Sequence, residues 1–196
     1  GGADALGEAL VRGLGDMRLL KPQDAVPFRD QVAGVCPAEG AAVVVLEHAE
    51  HARQRGAQAL ARIDGYAAGF EPTLTRRARE CTGIAETMHR ALTLSGHAAG
   101  DVGLVMTSAH GTALDHVELA ALRNVFAEGW APLLCAPKAA WGETFGADGA
   151  LSLALAATLL SEPGPLADGI TFDLAGAARQ GGRRRLVDKA ERPPGH

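Results

Sequence analysis

The stretch from Val102 to Leu160 reads VGLVMTSAHGTALDHVELAALRNVFAEGWAPLLCAPKAAWGETFGADGALSLALAATLL. Its apolar residues change period along the chain. Val102 to Met106 predicts a strand, Val117 to Phe126 a helix, Leu133 to Ala136 a strand, Ala147 to Leu160 a helix and Ile170 to Leu174 a further strand. Strands alternating with helices of this length predict an α/β layered domain. The Ala- and Leu-rich helix from Ala147 is apolar nearly all round, which predicts burial between sheets, as in a sandwich of two sheets around central helices. No internal repeat of fixed short period is evident.

Upstream, Ile84, Met88, Ala91, Leu92 and Leu94 follow Thr82 at near-helical spacing, and Gly96 is the expected stop. An opening helix is expected around Ala5 to Leu14, followed by a loop punctuated by Pro22, Pro27 and Pro37. Ala41 to Leu46 is a continuous apolar run and reads as a buried strand. It passes into a polar helix, Glu47 to Arg55, ended by Gly56, and Ala59 to Ala67 reads as a second strand of a mixed sheet.

Composition narrows the function. A chain of 196 residues, 47% hydrophobic, is long enough for one packed domain. A net charge of -4 argues against a broad nucleic-acid footprint. The basic run Arg183, Arg184 and Arg185 lies in a Gly- and Pro-rich tail and reads as solvated. Cys36, Cys81 and Cys135 are odd in number and widely spaced, as expected of reduced thiols in a cytoplasmic protein, and no zinc spacing is present. No apolar run approaches the roughly 18 residues of a membrane helix. The start at Gly1-Gly2 without a methionine suggests a piece of a longer polypeptide.

Three patterns in order carry a family resemblance. Pro27-Phe28, Gly34 and Glu39-Gly40-Ala41 lead into Val43-Val44-Val45-Leu46-Glu47; Ser108-Ala109-His110-Gly111-Thr112 closes a predicted strand; and Lys138 precedes Gly142, Gly146, Ala147 and Gly149. Together they resemble the C-terminal half of a β-ketoacyl synthase of the thiolase-like superfamily: its segment from PF through EGA to a VLE strand, its AHGT motif and its KSxxGHxxGAAG motif. Independently of any family, a His-Gly at the carboxyl end of a strand sits where α/β folds place ligand-contacting groups, and glycines at a helix start permit close backbone approach.

The resemblance implies an α/β thiolase-like layered fold with mixed sheets around buried helices, incomplete because only the C-terminal half is matched. Residues 1–40 would be a remnant of the N-terminal half and connecting loop, 41–176 the C-terminal ketosynthase domain, and 177–196 a polar, disordered tail. It implies decarboxylative Claisen condensation of acyl and malonyl thioesters in polyketide or fatty-acid biosynthesis. No bound cofactor is expected, the substrates riding on the phosphopantetheine of an acyl carrier protein. The expected partners are that carrier and a second ketosynthase subunit, in a homo- or heterodimer, with neither nucleic acid nor membrane. By the same resemblance His110, Lys138 and Glu143 stand at catalytic positions, Glu143 at that of the family's second histidine, with Thr112 and Gly146 at substrate-binding ones.

The departures matter equally. The family's nucleophilic cysteine lies upstream of the segment that Gly1-Gly2 resembles, so none of the three cysteines carries over; Cys36 and Cys135 read as packing residues. The closing FGFGG strand has no counterpart. The loop after His110 is about three residues shorter than HGTSTPLGD before Asp115 and Glu118. Glu143 as an ordinary carboxylate of pKa about 4.3 accepts hydrogen bonds only, whereas a neutral imidazole can donate one. Against an enolate at about 4 Å and an effective dielectric near 20, repulsion is of order 4 kcal/mol, comparable with losing an oxyanion-hole donor. A buried carboxyl that kept its proton would instead be a donor. His110 and His116 lack a third ligand at useful spacing for a metal site, and His48, His51 and His97 read as surface residues. Glu143 therefore favours a chain-length-factor-like subunit without a full catalytic set; His110 and Lys138 favour an active condensing enzyme. An α/β binding domain without catalysis is the remaining alternative.

Overall fold

The computed structural model describes residues 1–20, 26–28, 34–70, 81–126, 132–161 and, as backbone only, 171–173. The expectations for Pro22, the ends of the last strand at Ile170 and Leu174, the arginine run and the 177–196 tail lie outside these residues.

Two small sheets organise the described residues. Strand β1 (Gly2–Asp4) pairs antiparallel with β2 (Gly40–Ala42), placing Ala3 opposite Ala41. Strands β3 (Leu104–Met106), β4 (Leu133–Cys135) and β5 (Thr171–Asp173) form a mixed sheet in the order β3-β4-β5, parallel then antiparallel. Helix α1 (Glu8–Asp16) follows β1, and α2 (Ala49–Gln54) follows β2. Helix α3 (Thr82–Ser95) ends at Gly96, whose φ of 72° makes it the expected left-handed stop. Helix α4 (Leu114–Val125) connects β3 to β4, as a parallel pair requires. A short α5 (Lys138–Trp141) and a 3-10 turn over Phe145–Ala147 lead into α6 (Asp148–Ser161).

The core forms where α3 packs on α4 beside the β3-β4 pair. Leu119, Ala121, Leu122 and Val125 of α4 meet Ala85 of α3, and Ala109, Leu134 and Ala136 at the strand ends join the same cluster, with Ile84, Met88 and Leu92 packed against it. Helical spacing brings these residues to one face, so the sequence pattern translates directly into packing.

Three expectations are corrected. The strand from Ala41 to Leu46 leaves its ladder after Ala42, and Val43, Val45 and Leu46 are 83%, 87% and 70% exposed. Residues 59–67 join no ladder. They pass beside α3, tied by Arg90 donating to the Ala68 carbonyl and by His97 Nε2 to Asp64 at 3.0 Å, with Leu60, Ile63, Tyr66 and Phe70 outward. An apolar run is buried only if another element covers it, and no described element covers these. Helix α6 packs on the β1-β2 pair, but of its apolar residues only Leu159 is fully buried, while Leu153 and Leu160 are exposed. The small sheet covers part of its circumference.

Candidate functional site

Strand β3 runs into the turn carrying His110, and β4 runs into α5, which starts at Lys138. Because β3 and β4 are parallel, both residues emerge at the carboxyl end of the same sheet. The turn is organised by Asp115, which is only 2% exposed in the first turn of α4. Its carboxylate accepts the backbone N–H groups of Phe28, His110, Gly111 and Thr112. One buried carboxylate thus serves four donors and fixes the His110 turn to a segment 87 residues away.

The imidazole of His110 is oriented from both sides. The Ser108 carbonyl can only accept, so at 3.0 Å it assigns the hydrogen to Nδ1. In the neutral ring Nε2 is then an acceptor, and Thr112 Oγ1 lies 3.2 Å away to donate to it. Thr112 Oγ1 also accepts the Leu114 N–H.

Lys138 and Glu143 meet at 2.8 Å, the lysine 5% and the glutamate 7% exposed. Lys138 Nζ also reaches Asp148 Oδ2 and the Ser108 hydroxyl, each at 3.3 Å. The second oxygen of Glu143 accepts the Phe145 N–H at 2.9 Å, and Oε2 stands 3.7 Å from His110 Nδ1. Glycine is required just before it. Gly142 has φ 84°, and a Cβ there would fall 2.7 Å from the Cys36 carbonyl oxygen. That close approach lets Glu143 N–H donate to Cys36 and Ala38 N–H donate to Glu143, welding the segment before β2 to the site.

The electrostatics expected for Glu143 change accordingly. At 2.8 Å and an effective dielectric near 20 its attraction to Lys138 is about 6 kcal/mol before desolvation, exceeding the anticipated repulsion of an enolate. The anion is compensated, and by the same pairing the cation at Lys138 is committed. The site lacks a donor at position 143 and a free ammonium at 138 together.

Glu118, half-buried on α4, accepts the Ser108 N–H at 2.8 Å. Desolvation raises its carboxyl to about 7, against the lowering effect of that hydrogen bond, with Asp115 raising and Lys138 lowering it further. The Cys135 thiol is fully buried and pushed up to about 11 by desolvation, which suits packing and not nucleophilic attack. Cys36 is half-buried. Gly146 lies along the β1 seam, donating its N–H to Asp4 Oδ2 at 3.0 Å. Both His110 ring nitrogens have partners within the turn. Among the described residues no group of three or more His, Cys, Asp or Glu is placed to hold a metal ion.

The structure thus brings His110, Thr112, Lys138 and Glu143 together and sets Gly146 beside Asp4. Sequence reasoning passed over Ser108, Asp115, Glu118 and Asp148 as site residues. Asp115 and Glu118 did carry a signal, since both share a helix face with the apolar Leu119 and Leu122.

Residues 60–163 match the β-ketoacyl synthase C-terminal domain. The chain belongs to the β-ketoacyl synthase family. It is 39% identical, over 69% of its length and 33% of the relative's, to the tetracenomycin polyketide synthase ketoacyl synthase beta subunit of Streptomyces glaucescens. It is 35% identical to the 3-oxoacyl-[acyl-carrier-protein] synthase 2 of Mycobacterium bovis, over 83% of this chain and 41% of that protein. The structure of the ishigamide ketosynthase/chain length factor superposes with a TM-score of 0.73 at 29% identity, covering 81% of this chain and 39% of that one. The fold is thiolase-like, and this ketosynthase-family chain spans well under half the length of these relatives.

Proposed function

We propose that this ketosynthase-family chain is part of a chain-length-factor-like component of polyketide or fatty-acid biosynthesis, pairing with an active ketosynthase and not condensing thioesters by itself. The observation that carries the reading is the buried Lys138–Glu143 ion pair. Condensation needs hydrogen-bond donors or positive charge aimed at the enolate oxygen. Here position 143 offers an acceptor, the Lys138 ammonium is held by two carboxylates, and both His110 ring nitrogens are engaged within their own turn, by the Ser108 carbonyl and the Thr112 hydroxyl.

On this reading residues 41–176 form the C-terminal half of a thiolase-like subunit, and 1–40 are a remnant of the N-terminal half with its connecting loop. The partner is a ketosynthase subunit. The substrates stay on an acyl carrier protein's phosphopantetheine, Thr112 and Gly146 border their path, and the compartment is the cytoplasm. Among the described residues no helix is long and apolar enough to cross a membrane. The retained His110 and Lys138 favour a second reading, an active condensing enzyme in which Glu143 has an altered role.

The test is incubation of the full-length protein, with and without a ketosynthase partner, with acyl- and malonyl-carrier thioesters, followed by mass detection of adduct and product. Product only with the partner, and no adduct on this chain, is expected. Adduct and product from the protein alone would establish the second reading.

A further inference from the structure

The Ser108 carbonyl orients His110, and each of the residue's three polar groups engages a different ionisable residue. Its N–H donates to Glu118 Oε1 at 2.8 Å, its hydroxyl accepts from Lys138 Nζ at 3.3 Å, and its carbonyl accepts from His110 Nδ1 at 3.0 Å. Ser108 is exposed while Lys138 is buried, so the hydroxyl joins an enclosed ammonium to the open rim of the site.

The ammonium has three N–H donors and three acceptors around it: Ser108 Oγ, Glu143 Oε2 and Asp148 Oδ2. The two carboxylates attract it more strongly. Of the three, only Ser108 belongs to the turn bearing His110. We propose that Ser108 is a positioning residue whose hydroxyl, beside Glu143 Oε2 at 3.7 Å from His110 Nδ1, holds the Lys138 ammonium at the His110 turn against the pull of Asp148. The proposal rests on reading His110, Lys138 and Glu143 as the functional site, and extends it by naming a further group that keeps the cation within reach of the histidine.

Ser108→Ala separates the hydroxyl from the rest, since the backbone bonds to Glu118 and His110 survive it. The measurement is side-chain nitrogen NMR of lysine ammonium groups in the full-length protein, with the Lys138 signal assigned by its loss in Lys138→Arg. Removing one acceptor of a buried cation is expected to speed hydrogen exchange of the Lys138 ammonium about tenfold. Ser108→Thr, which restores a hydroxyl, is expected to return it to the parent rate, while the Nδ1–H signature of the His110 ring stays unchanged in both variants. An unchanged Lys138 signal in Ser108→Ala, or a Ser108→Thr variant that behaves like Ser108→Ala, overturns the proposal. Carrier-thioester incubation of the parent fails separately: loss of any response there removes the functional reading, while the lysine spectra still decide what Ser108 holds.

Discussion

Residues 104–135 and residues 43–70 contain comparable apolar runs and treat them in opposite ways. Leu122 and Leu134 are wholly enclosed, whereas Val43, Val45, Tyr66 and Phe70 stand more than 70% exposed. Composition does not separate the two regions; partners do. The first has α3, α4 and the β3-β4 pair pressing on one another, and Asp115 and Glu118 of α4 accept backbone amides of the turn at its edge. The second leaves its ladder at Ala42 and runs on beside α3 through a few polar ties. An apolar face this open is larger than isolated soluble chains usually carry.

The sharpest break of this contrast is a pair of truncations read by denaturant unfolding. Leu122→Ala should cost about 3–5 kcal/mol, while Val45→Ala should stay within about 0.5 kcal/mol. Equal losses would mean that the valine run is covered in solution. Asp115→Ala comes next, at about 3 kcal/mol, because four backbone donors lose their acceptor at once. Hydrogen exchange at Phe28 and Gly111 should accelerate together, and protection retained at either would count against a shared anchor.

Glu118 gives a pH signature. Its carboxyl holds a proton more tightly folded than unfolded, so its stabilising contribution is full below about 4.5 and is lost as pH rises through about 7. Glu118→Gln should therefore be more stable than the parent at pH 8, by about 3 kcal/mol at most, with the difference fading toward pH 4.5. Thermal melts of both proteins across that range check it, and parallel curves would sink it.

The 196-residue chain by itself should associate, sedimenting faster than a 20.2 kDa monomer. Replacing Val43, Val45 and Leu46 with Thr, Thr and Gln should reduce that association while leaving the melting temperature nearly unchanged. A compact monomer of the unaltered chain would argue that its apolar face is smaller than it looks. The smallest effect belongs to Asp64, held to about 2 by Arg62 and then His97 at an exposed site. Asp64→Asn should leave the melting temperature unchanged within error, since solvent screens such pairs.

Helix periods, the stop at Gly96, the alternation of strands with helices and the motif order were legible in the sequence because each depends on residues near one another. His110, Lys138 and Glu143 could be named from the motif resemblance alone, and the structure adds that parallel strands β3 and β4 deliver the residues at their carboxyl ends to one place. What the tertiary structure decided was pairing. That Glu143 meets Lys138 before any substrate, that Asp115 collects the loop's amides, that Ser108 touches three ionisable groups and that an expected buried strand lies open all depend on which distant surfaces meet. Burial and electrostatics are properties of those meetings, and local spacing does not contain them.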